Sequence, residues 1–185
     1  MPDDLRDRLV ATGVDLVSSA GTESLSLREI ARRAGVSHGA PRRYFPTHRE
    51  LLAAVARVGY ERLSARVAAL PAQDDPRAEL LALGRLYLDF ARTDRGMFEL
   101  MFRHELLRGN QEGLRAASKP LFAVLVNLVG RARPGAGDAA VIAGALWANL
   151  HGIAQLWQWG SLQVTVETAD TDALLRTAVD SYVRV

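Results

Sequence analysis

The chain has 185 residues, enough for one large domain or two small ones, and a formal net charge of +2, too slight for a general basic coat over nucleic acid. It has no cysteine, which excludes disulfides and thiolate metal or redox centres and fits a reducing compartment. The N-terminus lacks a basic segment followed by an apolar run, and no segment reads as apolar enough to span a bilayer, so a cytoplasmic protein with no membrane partner is expected.

In chain order, Asp3 or Asp4 can cap a first helix that carries Leu5, Leu9, Val10, Val14, Leu16 and Val17 on one side and ends near Gly21. Ser26 with Glu29 three residues on has the form of a capping box, followed by Leu27, Ile30, Ala31 and Ala34 at helical spacing. Gly35 suits a positive-φ helix end, and Val36 plugs the turn. Ser37 then caps a second short helix running through His38, Gly39, Ala40, Pro41, Arg42, Arg43, Tyr44 and Phe45, stopped by Pro46. Thr47 with Glu50 repeats the capping box for a longer helix to about Leu70.

Charge is uneven along the chain. Residues 1–66 hold 11 arginines against 8 acidic residues, and between Ser26 and Arg49 arginines 28, 32, 33, 42, 43 and 49 face one acid, Glu29. Such a local excess suits phosphate. In a helix-turn-helix the second helix enters the major groove and needs small, hydrogen-bonding residues at its start, which Ser37, His38, Gly39 and Ala40 supply. The bland alternative is an ordinary solvated arginine face.

The stretch LPAQDDP at 70–76 is a break, and Asp75-Pro76 reads as an N-cap with proline at the first helical position. Beyond it the pattern is helical: Arg77–Arg92, Arg95–Leu107, Asn110–Ala132, Asp138–Trp159 and Asp170–Val183. The break Gly160–Thr168 contains Val164 and Val166 and reads as a short extended piece. Phe90, Met97, Phe98, Met101, Phe102 and Phe122 are adaptable apolar side chains for a pocket, with core packing as the plainer use. On the fourth of these helices Trp147, His151 and Gln155 lie one turn apart on a mixed face.

The segment from about Asp3 to Leu52 resembles the DNA-binding domain of TetR-type transcriptional regulators, through Ile30-Ala31, Ala34-Gly35-Val36-Ser37, Tyr44-Phe45 and Glu50-Leu51-Leu52. By this resemblance Ser37, His38, Gly39 and Ala40 meet the groove, while Ser26, Arg28, Arg42, Tyr44 and the start of the next helix hold phosphates. The sequence departs from the family pattern at Pro41, whose ring is left to touch a thymine methyl, at Arg42, and at His48, which makes one backbone contact dependent on its protonation. Arg43 and Arg49 complete the expected contact set. The stretch Leu146–Gly160 looks more loosely like the C-terminal domain of a branch with a Trp-His-Gly signature, here Trp147 and His151-Gly152.

The resemblance implies an all-α protein of about nine helices. A helix-turn-helix domain over 1–52, with a linking helix to about 70, precedes a helical ligand-binding and dimerisation domain over 71–185. It implies a homodimer paired through the two C-terminal helices, a double-stranded operator, a small apolar or amphipathic effector held by the pocket candidates named above, and no cofactor, metal or catalytic residue. No catalytic motif argues for an enzyme: the four histidines, 38, 48, 104 and 151, make no metal-ligand pattern, and no phosphate-binding or nucleophile-elbow signature occurs. The rival reading within the same fold is a helical adaptor without specific DNA binding.

Overall fold

A computed structural model describes residues 2–135, 137–166 and 170–183. Among these, ten α-helices occur and no strand: α1 Pro2–Ala20, α2 Leu27–Arg33, α3 His48–Ala68, α4 Pro76–Thr93, α5 Arg95–Met101, α6 His104–Gly109, α7 Leu114–Ala132, α8 Ala139–Gln158, α9 Ser161–Thr165 and α10 Thr171–Val183. Short 3-10 turns lie at Thr22–Ser24, Ala40–Arg43 and Gln111–Gly113.

The differences from the sequence reading have local causes. The expected helix Arg95–Leu107 is two, α5 and α6, parted at Phe102 and Arg103. The next helix starts at Leu114 rather than Asn110 because Asn110 and Glu112 take left-handed φ of 51° and 55°. The Asn110 carboxamide then accepts the Arg115 amide at 2.9 Å. Where a short extended piece was expected, Ser161–Thr165 forms a helical turn, and only Val166 is extended. Residues 167–169 of that stretch, and Ala136 in the preceding turn, lie outside the described residues, as does the side chain of Asp3. Helix α1 begins at Pro2, ahead of the expected caps.

The chain divides into two compact units, Met1–Arg62 with Asp94–Ser118, and Leu63–Thr93 with Lys119–Val185. Residues 94–118, expected within a single domain over 71–185, pack instead with the N-terminal helices. The reason is visible at Gly96, where a Cβ would stand 2.3 Å from the Val17 carbonyl oxygen, so the first turn of α5 rests directly on the last turns of α1. At Gly59 of α3 a Cβ would meet the Met101 sulfur at 2.6 Å. Side chains fasten the same contact: the Tyr60 hydroxyl donates to the Met101 carbonyl at 2.8 Å, and Thr22 donates to Glu99 at 3.1 Å. Met97, Phe98, Leu100 and Met101 are consequently buried, in the unit that also buries Leu9, Leu16, Ile30, Phe45 and Leu51.

The second unit is built on α4, α8 and α10 with the later turns of α7. Its core includes Leu80, Leu125, Val129, Leu146, Leu150, Leu175 and Val179. Helix α8 corrects one expectation: by length and composition it is long and apolar enough to cross a membrane, yet only 22% of that window is buried. Its inner side, Ala143, Leu146, Leu150 and Ile153, packs into the core.

The contact at Gly96 yields a test. Gly96→Ala has to push a methyl group against backbone, so it is expected to destabilise the fold by about 1 to 3 kcal/mol in urea unfolding, the usual range for overpacking. Gly144→Ala, where a Cβ meets nothing within 4 Å, should not destabilise.

Candidate nucleic-acid interface

The reading element is built from its caps inward. Ser26 Oγ accepts the Glu29 amide at 3.1 Å and starts α2. The reciprocal half of the expected capping box does not form, because Glu29 instead takes Arg32 at 2.6 Å and Arg33 at 2.9 Å. Helix α2 ends in a paired hydrogen-bond motif, with the Val36 amide on the Ala31 carbonyl at 3.0 Å and the Gly35 amide on that of Arg32 at 3.2 Å. Gly35 sits at φ 67°, which a side chain would strain.

The second helix of the motif is shorter than its sequence suggests. Only Ala40–Arg43 is helical, as a single 3-10 turn with Gly39 as its N-cap. Pro41 has no amide, so the bond to the Ser37 carbonyl that an α-helix starting at His38 would need from position 41 is missing, and the Ala40 amide takes that carbonyl in a 3-10 pattern at 3.0 Å. The Tyr44 and Phe45 amides both reach the Pro41 carbonyl, at 3.0 and 2.8 Å. Pro41 is itself buried, so it anchors the turn and is not presented to a thymine methyl, which corrects its assignment as a contact residue. Phe45 is fully buried beneath the turn, with the Arg6 guanidinium 5.2 Å from its ring centre and ion-paired to Glu112. Sequence reasoning missed Arg6, since nothing local marks it.

After the turn the second capping box is complete. The Glu50 amide donates to Thr47 Oγ1 at 3.2 Å, and the Thr47 amide donates to the Glu50 carboxylate at 2.8 Å. Ser37, His38, Gly39, Arg42, Arg43, His48 and Arg49 are exposed, as are Ser26 and Arg28 at the start of α2, while Ala40 and Tyr44 are half-buried. Arg28, Arg42, Arg43 and Arg49 have no side-chain partner among the described residues, in contrast to Arg32 and Arg33. The expected phosphate contact by His48 is restricted, because its Nε2 faces the Leu25 carbonyl at 2.7 Å and must carry the proton there.

The effector-pocket candidates fall in both units. Met97, Phe98, Met101 and Phe102 belong to the first, where the Phe98 and Phe102 rings are 4.9 Å apart and Tyr60 meets Phe102 edge-on at 6.1 Å. Phe90, Phe122, Trp147, His151 and Gln155 belong to the second. Of these, Phe90 is buried and Gln155 half-buried. Phe122 lies edge-on to Trp147 at 6.2 Å. Tyr87, which the sequence reading passed over, is a hub for two of them: its hydroxyl accepts the Trp147 indole N–H at 3.2 Å and lies 2.8 Å from His151 Nδ1. The direction of this second bond follows the tautomer of His151, and a neutral imidazole with an unprotonated Nδ1 accepts the Tyr87 O–H. Burial pushes the His151 pKa below its ordinary value in the same direction. Among the described residues no cluster of three or more metal-ligating side chains occurs.

Two family models match the chain: one described as bacterial regulatory proteins, tetR family, over residues 9–55, and one described as tetracyclin repressor-like, C-terminal domain, over residues 80–182. A solved protein with unknown function from Rhodococcus sp. RHA1 is 33% identical, with 97% of this chain and 94% of that chain covered and a TM-score of 0.81. A transcriptional regulator from Rhodococcus sp. Rha1 is 25% identical, covering 96% and 95%, with a TM-score of 0.71. The multidrug binding protein EbrR, solved with ethidium, is 25% identical over 98% and 99%, with a TM-score of 0.69. No curated protein matches.

The Glu29 pairings fix a pH dependence. Hydrogen bonds from Arg32 and then Arg33 lower the Glu29 pKa from 4.5 to about 2, so its stabilising contribution is fully present above 4.5 and lost as pH falls through about 2. The stability difference between the native chain and Glu29→Gln, read from urea midpoints, should be constant at neutral pH and shrink over that acid window. A difference that persisted unchanged to the acid end would mean that the pairs do not form.

Proposed function

The chain belongs to the TetR family of bacterial regulatory proteins, and from that premise we propose that it is a homodimeric repressor, reading a pseudo-palindromic operator and released by a small apolar or amphipathic effector. The observation that carries the DNA-binding part is the set of unpaired, exposed guanidinium groups around one short turn: Arg28 before it, Arg42 and Arg43 on it, Arg49 after it. They give phosphate partners on both sides of Ser37, His38 and Gly39, which are exposed and small or hydrogen-bonding, as direct readout requires. A two-fold dimer sets two such turns about 34 to 36 Å or a multiple apart along the duplex.

Support for the dimer lies on the outer side of α8. Val141, Ala145, Ala148, Gly152, Leu156 and Trp159 recur at helical spacing, with Val141 68%, Leu156 40% and Trp159 66% exposed. An apolar stripe of this kind with small residues at its centre suits packing against its own copy, and α10 adds Ala173, Thr177 and Ser181, all exposed. For the effector, Phe122 and Trp147 are 37% and 39% exposed beside the Tyr87–His151 pair, an aromatic lining with one polar handle. The ethidium seen in EbrR, a flat aromatic cation, shows what a similar protein accepts and fits such a lining.

Selection of bound duplexes from a random DNA pool at physiological salt should enrich an inverted repeat. Arg43→Ala should weaken binding to that repeat and lower the slope of log affinity against log salt by about 1. Ala148→Asp should turn the dimer into monomer by sedimentation while leaving the helical content unchanged. An unenriched pool, with only salt-sensitive retention or none, would favour the adaptor reading instead.

A further inference from the structure

The second unit holds a cavity of about 340 Å³ that none of the effector-pocket candidates lines. Its floor is apolar, from Leu88 of α4, Ile153 and Ala154 of α8 and Leu175 of α10, with Trp157 as a wall. Two tie points bound it. At Gly84 a Cβ would meet Leu175 at 2.4 Å, so α4 and α10 touch, and Gln158 donates to the Ala91 carbonyl at 2.7 Å, joining the end of α8 to α4. At 100° per residue, positions 153, 154, 157 and 158 lie on the side of α8 opposite the exposed stripe, so this cavity and the proposed dimer face do not compete.

The rim carries more donors than acceptors. Arg66 and Arg92 share Asp89, while Arg85 and Arg176 share Asp172. Arg176 also approaches Asp170 at 3.8 Å. Of these, Arg85, Arg92, Asp89 and Asp172 line the cavity, and each of its two carboxylates is shared with a second arginine outside the lining, so neither has acceptor capacity to spare. Arg92 lines the cavity, is 69% exposed, and gives only Nη2 to Asp89, at 3.0 Å. The Trp157 indole N–H and the Thr171 hydroxyl, also in the lining, have no partner among the described residues. Guanidinium, indole and hydroxyl donors left over above an apolar floor, beside carboxylates already shared, select an acceptor that is itself charged.

We propose that this cavity binds a small organic anion, a carboxylate or sulfonate on a flat apolar ring system, with the anionic group at Arg92 and the ring between Trp157 and Leu88. The site stands apart from the aromatic cluster at Trp147 and its binding can be read without DNA, so it can fail or hold independently of the repressor reading.

The test titrates the full chain with 2-naphthoate and with its neutral counterpart 2-naphthalenemethanol at about 0.15 M salt. The chain has 3 tryptophans, whose indole N–H resonances are followed by NMR, with Trp157 assigned through Trp157→Phe. Naphthoate should bind at least about tenfold more tightly than the alcohol and shift the Trp157 indole. Arg92→Gln, a change at an exposed side chain, should weaken naphthoate by about tenfold and leave the alcohol unchanged. Arg92→Lys should recover part of the loss through charge alone. Equal affinity for acid and alcohol, a shift confined to the Trp147 indole, or naphthoate binding unaltered in Arg92→Gln would each overturn the assignment.

Discussion

The first unit depends on the contact between the end of α1 and the start of α5. A three-helix piece of about fifty residues is marginal as an isolated fold, because too little of its surface is buried. Placing glycine at position 96, against the Val17 carbonyl, removes the side chain that would hold α5 away and lets Met97, Phe98 and Met101 be buried. Ser18 and Thr22 then reach Asp94 and Glu99, so the same approach satisfies polar groups at the edge of the contact. The large apolar side chains that suggested a pocket by their type are what this reading unit uses to complete its core.

The charge around the reading turn is set by a competition inside α2. Glu29 has Arg32 and Arg33 at i+3 and i+4, and its carboxylate goes to them and not back to the helix start. Glu50 has Ala53 and Ala54 at the same offsets, no cation to answer, and it returns to the Thr47 amide. The same spacing of three positions, Ser or Thr to Glu, therefore gives a half cap in one place and a full cap in the other. The consequence for recognition is that two of the six arginines in the stretch are already answered, and those left open are the ones that flank the turn.

This pattern explains what was legible in the sequence. Signals that act within a few residues are legible: the Ser26 cap, Gly35 as a left-handed helix end, the Thr47–Glu50 box, and α8 between Asp138 and Trp159. The all-helical class followed from the same local grammar. What was not legible depends on partners distant in the chain. Pro41 reads as an exposed contact until its burial is known, and Tyr87 carries no mark of its bond to His151, 64 residues away. Gly109 and Gly113 mark a break without saying that Asn110 and Glu112 between them turn left-handed, and the ion pair from Glu112 to Arg6 spans 106 residues.

Helix α8 poses the remaining physical question, since a helix that is apolar on all sides ordinarily has neighbours on all sides. Its inner face has them in α4 and α10, while the outer stripe leaves Val141 and Trp159 about two-thirds exposed and Leu156 40% exposed. The stripe grades from large residues at its ends to Ala145, Ala148 and Gly152 in the middle, and a Cβ at Gly152 would meet nothing. In the proposed homodimer that profile would be its own complement under a two-fold axis through the small centre, where two copies would approach closely while the bulky end of each passed over the opposite end of the other. A partner of different sequence would need the matching profile by design, whereas a second copy carries it by symmetry. The order of residue sizes along α8 therefore favours self-pairing as much as their apolar character does.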